Sequence, residues 1–277
     1  MNELSIKDII ERALAEDIGM GDVTTNATVD PDAEGEAVVI AKEEFILAGS
    51  GIFLDVFLAL DPGIDFSLEY LDGDLIKKGD TIIGIQGPMN VLLTGERVAL
   101  NLMQRMSGIA TITSKYVREV ESTRARILDT RKTTPGLRAL EKYAVTVGGG
   151  FNHRFGLYDG ILIKDNHIAA AGGIKNAIEA ARENAPHTLK IEVECEGIKD
   201  VKEALKAKAD IIMLDNMDIP EMKAAVKLIN KRALVEASGN MTLKRVRSVA
   251  ETGVDFISVG AITHSAPSVD ISMKVKV

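Results

Sequence analysis

The chain has a single cysteine, no tryptophan, four tyrosines and seven phenylalanines. One thiol, Cys195, excludes an intrachain disulfide framework and a cysteine-rich metal centre. It lies in IEVECEG, beside an expected strand end, where a small buried side chain is the expected role. So few aromatic rings leave little from which to build base-stacking platforms for nucleic acid. There is no apolar run of about 18 residues, the length at which a helix begins to span a bilayer, so no membrane span is expected. The opening MNELSIKDIIERALAED is charged throughout and lacks a signal-peptide core. A reducing cytoplasm is the expected compartment. No GxGxxG follows the first strand, which speaks against a dinucleotide-binding fold.

Positive charge is scarce too. Lys and Arg number 33 against 41 Asp and Glu, a net charge of −8 over 277 residues. A nucleic-acid binder ordinarily shows a basic domain or stripe. Here the basic surplus is confined to one window. From Arg97 to Lys164 there are 12 Lys and Arg against 5 Asp and Glu, leaving +7 there and −15 elsewhere. Residues 129–167 concentrate it: DTRKTTPGLRALEKYAVTVGGGFNHRFGLYDGILIKDNH. Arg131, Lys132, Arg138, Arg154 and Lys164 stand there with His153 and the Gly148-Gly149-Gly150 turn. Guanidinium offers a planar fork for carboxylate or phosphate, and ammonium a compact charge. A single Arg is most often a surface ion-pair partner. The whole set, on glycine-rich loops between apolar runs, points to a pocket for a small, multiply charged anion.

The pattern divides near residue 100. The first part reads as mixed α/β. Ile6, Ile9, Ile10, Ala13 and Leu14 recur at helical spacing, with Ser5 as the expected N-cap. EAVVIAKE, DTIIGIQG and MNVLLTG read as strands, and LDGDLIKKGDTIIGIQG as a structural hairpin. It has the outline of a carrier-domain hairpin without the Met-Lys signature. From Glu96 to Val120 a helical stripe runs through Val98, Leu102, Met106, Ile109, Ile112 and Tyr116. Thereafter six strands alternate with helices: ARILDT, GILIKD, LKIEVE, ADIIMLD, ALVEAS and VDFISVG. Alternating βα units of this size imply parallel strands with right-handed crossovers. Their ends carry Asp129, Lys164, Glu194, Asp215, Glu236 or Ser238, and Gly260. Functional residues at successive strand ends favour a β/α barrel over an open sheet. With six clear strands the barrel is either incomplete or hides one between Val145 and Phe155.

Ser238-Gly239-Asn240 precedes a helix starting near Thr242, and Val259-Gly260-Ala261 ends the last strand. Either glycine alone would be a plain tight turn. Together after the last two barrel strands they read as a phosphate cradle. Glu194 and Asp215 can accept from sugar hydroxyls or hold Mg²⁺ through oxygen or water. They can equally pair with Lys164 or Arg154. Schiff-base chemistry at Lys164 needs a depressed amine, which the two acids oppose. His153 beside Arg154 reads as an anion contact more than a proton carrier.

ERVALN (96–101), MSGIAT (106–111), DTRKTTPGLR (129–138), GGGFNHR (148–154), ILIKDNH (161–167), EVE (192–194), MLDN (213–216), EASGN (236–240) and ISVGAITHS (257–265) together carry a resemblance, with EDIGMGDVTT (16–25). Over essentially its whole length the chain resembles the quinolinate phosphoribosyltransferase family. A branch linked to molybdenum transport shares fold and some motifs, and the full DTRKTTPGLR and GGGFNHR matches favour the biosynthetic enzyme.

The resemblance implies an N-terminal α/β sandwich (1–107, joined by the returning segment 268–277) and an incomplete, about seven-stranded β/α barrel (108–267). It implies a homodimer in which each sandwich covers the partner's barrel mouth, so that Arg97 of the partner subunit completes the site. It places quinolinate against Arg131, Arg154, Lys164 and that Arg97, with Thr130, Lys132, Arg138 and His153 in the same substrate set. Glu194 and Asp215 would meet the ribose hydroxyls and Mg²⁺. Ser238, Gly239, Asn240, Val259, Gly260 and Ala261 would receive the 5′-phosphate of phosphoribosyl pyrophosphate. Lys132, Lys164, Glu194 and Asp215 would be catalytic, with no organic cofactor. The implied reaction gives nicotinate mononucleotide, pyrophosphate and CO₂ in NAD biosynthesis. A non-catalytic phospho-ligand sensor would need the anion pocket without the paired acids.

Overall fold

The computed structural model describes residues 3–276, with side chains described from Ile6 onward. The chain forms two compact units. The first comprises Met1–Ser114, Thr133–Gly149 and Ser265–Val277, and the second Lys115–Lys132 and Gly150–His264. Residues 133–149, placed in the barrel by the sequence reading, thus group with the first unit.

In the first unit α1 (Glu3–Ile18) and α2 (Val23–Thr28) precede β1 (Glu34–Ala41) and β2 (Phe45–Ile46). Then come α3 (Ser50–Leu60), β3 (Asp65–Leu68), β4 (Leu75–Ile76), β5 (Thr81–Pro88) and the long α4 (Met89–Val120), inside which the two units divide. A further helix, α5 (Arg138–Val147), also belongs here. β1 alternates strictly in its second half, burying Ala37, Val39 and Ala41. It sits between β5 and the terminal strand Ile271–Lys276, both antiparallel, and β3 adds to the far edge of β5. The chain end therefore completes the sheet that its start began.

Three local expectations give way here. Ser5 lies inside α1, which begins at Glu3, because the preceding Glu-Leu pair is itself a good helix former. MNVLLTG opens α4 and is no strand. Its unbranched Met and Leu residues favour helix, and Leu92 starts the buried stripe that continues through Ala99, Met103 and Met106. The hairpin is not formed as a pair: β4 pairs with β2, while β5 pairs with β1 and β3. A turn closes at Lys77–Asp80, but the longer strands offer β5 more partners than β4 can.

In this unit α4 passes very close to the chain near Pro267. A Cβ on Gly108 would stand 1.9 Å from the Pro267 carbonyl oxygen. Arg105, on the same helix, donates to Glu141 Oε1 from Nε at 3.2 Å and Nη2 at 2.9 Å, and to Ala266 O at 2.8 Å. Glu141 is fully buried and also accepts the Thr134 N–H at 3.1 Å. These bonds tie residues 133–149 into the unit.

The second unit holds β6 (Arg126–Leu128), β7 (Ile161–Ile163), α6 (Asp165–Ala171), α7 (Ile174–Asn184), β8 (Ile191–Cys195), α8 (Ile198–Lys206), β9 (Ile211–Asp215), α9 (Ile219–Ile229), β10 (Leu234–Ser238), α10 (Leu243–Ala250), β11 (Phe256–Ser258) and α11 (Ala261–His264). All six strands are parallel, in the order β6-β11-β10-β9-β8-β7. A parallel bridge from Leu128 to Phe151 marks the position of a seventh, within the region where a strand was expected to hide. The fold is α/β with an incomplete barrel. Side chains in register share a face. Leu162, Glu192, Met213 and Glu236 fall on one face with Glu194, Asp215 and Ser238, while Val193, Ile212, Leu214, Val235 and Ala237 pack, buried, on the other.

Ordinarily Gly to Ala in a helix gains up to about 1 kcal/mol. Gly108→Ala should instead lower the melting temperature, because backbone and not a movable side chain blocks the new methyl. A calorimetric scan showing equal or raised stability would refute that packing.

Candidate functional site

Parallel pairing gathers the strand ends of the second unit around a cavity of about 920 Å³. Ten of the expected residues line it: Thr130, Lys132, Lys164, Glu194, Asp215, Ser238, Gly239, Asn240, Gly260 and Ala261. The register explains this. Ser238 lies opposite Asp215, and Glu194 opposite Met213, two residues before it. The Lys164 ammonium is in contact with Glu194. Contact with an acid opposes the free amine that Schiff-base chemistry requires. Asp215 accepts from Asn216 Nδ2 at 2.9 Å.

Opposite the acids, the 238–242 loop is shaped for close backbone approach. Gly239 has φ +92°, and a Cβ there would stand 2.1 Å from Asn216 Oδ1. Asn240 (φ +48°) donates to Asn216 Oδ1 at 3.3 Å. Arg245, on α10, clamps the loop from below, donating to Gly239 O at 3.0 Å and Met217 O at 2.7 Å. At Gly260 a Cβ would press on Lys132 and His264 at 3.1 Å. Such loops present N–H groups to an anion.

Other expectations are redistributed. Val259 is corrected: its side chain is buried and its N–H donates to Leu128 O at 2.9 Å, so it keeps no donor for a phosphate. His153 is corrected as a mouth contact. Its ring turns into the barrel, where Nε2 meets Glu192 Oε2 at 3.1 Å and Glu236 Oε1 at 3.7 Å. Its Nδ1 accepts the Arg154 N–H at 2.7 Å. Arg154 donates from Nη1 to Gly160 O at 3.0 Å. Burial, and then the neighbouring Arg131 guanidinium, lower its proton affinity from the ordinary value. The neighbouring carboxylates of Glu192, Asp159 and Glu194 act the other way. Arg97 and Arg138 belong to the first unit. The Arg97 side chain is 60% exposed, and Arg138 Nε donates to Thr133 Oγ1 at 2.9 Å.

Of the buried acids, Glu236 was read only as an alternative to Ser238 at its strand end and Glu192 was not singled out, although the alternation of IEVEC places Glu192 and Glu194 on one face. Burial, and then Glu192, push the Glu236 carboxyl well above the ordinary carboxylate range, so it stays protonated. Asn216 was missed too, its only mark being its place after Asp215 in MLDN. Cys195 takes its expected structural role: burial pushes its thiol up to about 12.

Family models for the quinolinate phosphoribosyl transferase N-terminal domain and C-terminal domain match residues 22–107 and 109–274. The probable nicotinate-nucleotide pyrophosphorylase (carboxylating) of Bacillus subtilis is 48% identical over 275 residues, covering 99% of this chain and 95% of the relative. Its probable counterpart in Synechocystis is 45% identical, over 96% of this chain and 91% of the relative. The crystal structure of NadC from Streptococcus pyogenes superposes with a TM-score of 0.96 at 43% identity, covering 100% of this chain and 98% of that one.

A raised carboxyl pKa stabilises the fold below the unfolded value and loses that contribution as pH rises through the folded one. Glu236→Gln, which cannot ionise, should therefore match the parent in urea unfolding near pH 4 and gain on it progressively toward pH 9. A gap that narrows with rising pH would contradict a neutral Glu236.

Proposed function

The chain belongs to the quinolinate phosphoribosyltransferase family, and we propose how its residues divide the work of that reaction. The enzyme is a pentosyltransferase of NAD biosynthesis. It transfers the phosphoribosyl group of phosphoribosyl pyrophosphate to quinolinate and releases pyrophosphate and CO₂, giving nicotinate mononucleotide. The pyridine nitrogen bonds to C1 of the ribose as the bond to pyrophosphate breaks. The ring nitrogen is then cationic. It draws in the electron pair left when the adjacent carboxylate departs as CO₂, and a proton takes the vacated carbon.

Arg131 and Arg154, with Lys164, hold the two quinolinate carboxylates. What supports this assignment is the partly buried Arg154 guanidinium, whose charge burial and Arg131 both disfavour and an anion favours. Glu194 and Asp215 face the ribose, where their charge offsets the cationic character developing at C1. Ser238, Gly239, Asn240, Gly260 and Ala261 receive the 5′-phosphate through backbone donors. Thr130 and Lys132 line the same mouth, Lys132 beside Gly260. No nucleophilic side chain is required, and positioning supplies the larger part of the rate.

Mg²⁺ fits this donor set. The carboxylates of Glu194 and Asp215 on one rim are oxygen donors, which suit an ion that keeps most of its water and is carried by substrate phosphates. Glu194 and Asp215 would hold it directly or through water, and it would neutralise the leaving pyrophosphate. The reading includes a homodimer, supported by the exposed Arg97, which can serve a second copy. Cytoplasmic residence belongs to it too, supported by a lone buried cysteine. No described helix is long and apolar enough to cross a membrane.

Purified protein should form nicotinate mononucleotide and CO₂ together from quinolinate, phosphoribosyl pyrophosphate and Mg²⁺. EDTA should abolish turnover and excess Mg²⁺ restore it; full activity in EDTA would remove the metal from the scheme. Arg131→Ala should raise KM for quinolinate at least about tenfold while that for phosphoribosyl pyrophosphate moves far less, one charge-assisted contact being lost. Parallel changes would refute its role. Mixing Arg97→Ala with Glu194→Ala should restore activity through hybrid dimers, and silence after mixing would refute the shared site.

A further inference from the structure

His153, Glu192 and Glu236 form the one group of potential metal ligands among the described residues, their ligand atoms lying within 4.8 Å of one another. Glu192 and Glu236 are buried, and each has a side-chain oxygen, Oε1, without a hydrogen-bond partner. A metal reading meets an obstacle in the histidine. A ligating imidazole normally donates its other N–H to a carbonyl or carboxylate. Here Nδ1 accepts a peptide N–H at 2.7 Å, which puts the ring proton on Nε2, the nitrogen that faces the acids. The arrangement is a chain of contacts: Glu192 Oε2 lies 3.1 Å from His153 Nε2, and His153 Nδ1 accepts from Arg154 N.

That chain ends at a substrate-binding residue. His153 is fixed from a second side by its own N–H, which donates to the fully buried Asp129 at 2.8 Å. Beyond Arg154 the loop is fastened by Asp159, which accepts from the N–H groups of Phe155 at 2.6 Å and Gly156 at 2.9 Å. Arg154 stands between the two anchors, its guanidinium on Gly160 O. A hydrogen bond made in a buried setting is stronger than one in water and costs more to lose.

We propose that Glu192 is a positioning residue for quinolinate: by holding His153 inside the barrel it fixes the Arg154 backbone and so aims the Arg154 guanidinium at the substrate carboxylates. This rests on Arg154 meeting quinolinate, as argued above. Glu236 fills the space beside the pair without being its required acceptor, since its nearer oxygen is 3.7 Å from Nε2 against 3.1 Å for Glu192.

The test compares Glu192→Leu, Glu192→Gln and Arg154→Ala in steady-state kinetics with both substrates varied. Leu removes the acceptor, while Gln keeps an acceptor oxygen and removes only the charge. Arg154→Ala and Glu192→Leu should each raise KM for quinolinate roughly ten- to hundredfold and leave that for phosphoribosyl pyrophosphate within about twofold. Glu192→Gln should stay within about threefold of the parent on both. A quinolinate KM unchanged in Glu192→Leu, both KM values rising in parallel, or Gln as impaired as Leu would each overturn the proposal. If Arg154→Ala leaves the quinolinate KM unchanged, the substrate role of Arg154 falls first and the proposal with it. Should Glu192→Leu not fold, Glu192→Asp decides. It keeps the charge but withdraws the oxygen by one methylene, so a raised quinolinate KM supports the proposal and a parental one overturns it.

Discussion

Parallel pairing of six strands in register is the constraint on which this site depends. A parallel ladder points every strand the same way, so all the strand ends reach one rim. Lys164, Glu194, Asp215, Ser238 and Gly260 are scattered over nearly a hundred positions of sequence, yet they line a single cavity. The period of two along each strand then sorts chemistry by face. Val193, Ile212 and Ala237 pack, buried, away from the acids, while Glu192, Glu194, Asp215 and Glu236 share the opposite face. Shifting one strand by a single residue would exchange these sets, so burial of the apolar face also fixes which residues face the cavity.

Depth along that shared face decides what each acid does. Glu194 and Asp215, near the rim, stay accessible to a ligand and to Lys164 or Asn216. Two residues deeper, Glu192 on the strand of Glu194 and Glu236 on the strand of Ser238 are buried, and water no longer shares the cost of charge there. One answer is protonation, at Glu236. The other is a donor brought in from outside the ladder, the His153 ring at Glu192. The barrel interior is thus a polar network as well as a packed core, and it reaches Arg154 through one peptide N–H.

How much of this was legible depended on range. The six barrel strands and four intervening helices could be read directly, because an alternating run such as IEVEC and an amphipathic run such as IKNAIEAAREN state their own periodicity. Residues at strand ends could be named from the same pattern. MNVLLTG could not be typed, since a short apolar run fits either a strand or the first turns of a helix, and only the stripe continuing through α4 settles it. The β4–β5 hairpin misled for a related reason: turn residues report a reversal of the chain, not which strands pair afterwards.

Sequence by itself determined the kinds of chemistry available here: a confined set of cations, acids at strand ends, glycines that permit a close backbone loop, and a family membership written across the whole chain. It could not determine direction. That His153 turns inward while its neighbour Arg154 remains beside Arg131, or that Val259 has already given its N–H to Leu128, follows from which partner lies within hydrogen-bonding distance once distant strands have met. Those distances join residues tens of positions apart, and they exist only after burial of the apolar strand faces has closed the sheet.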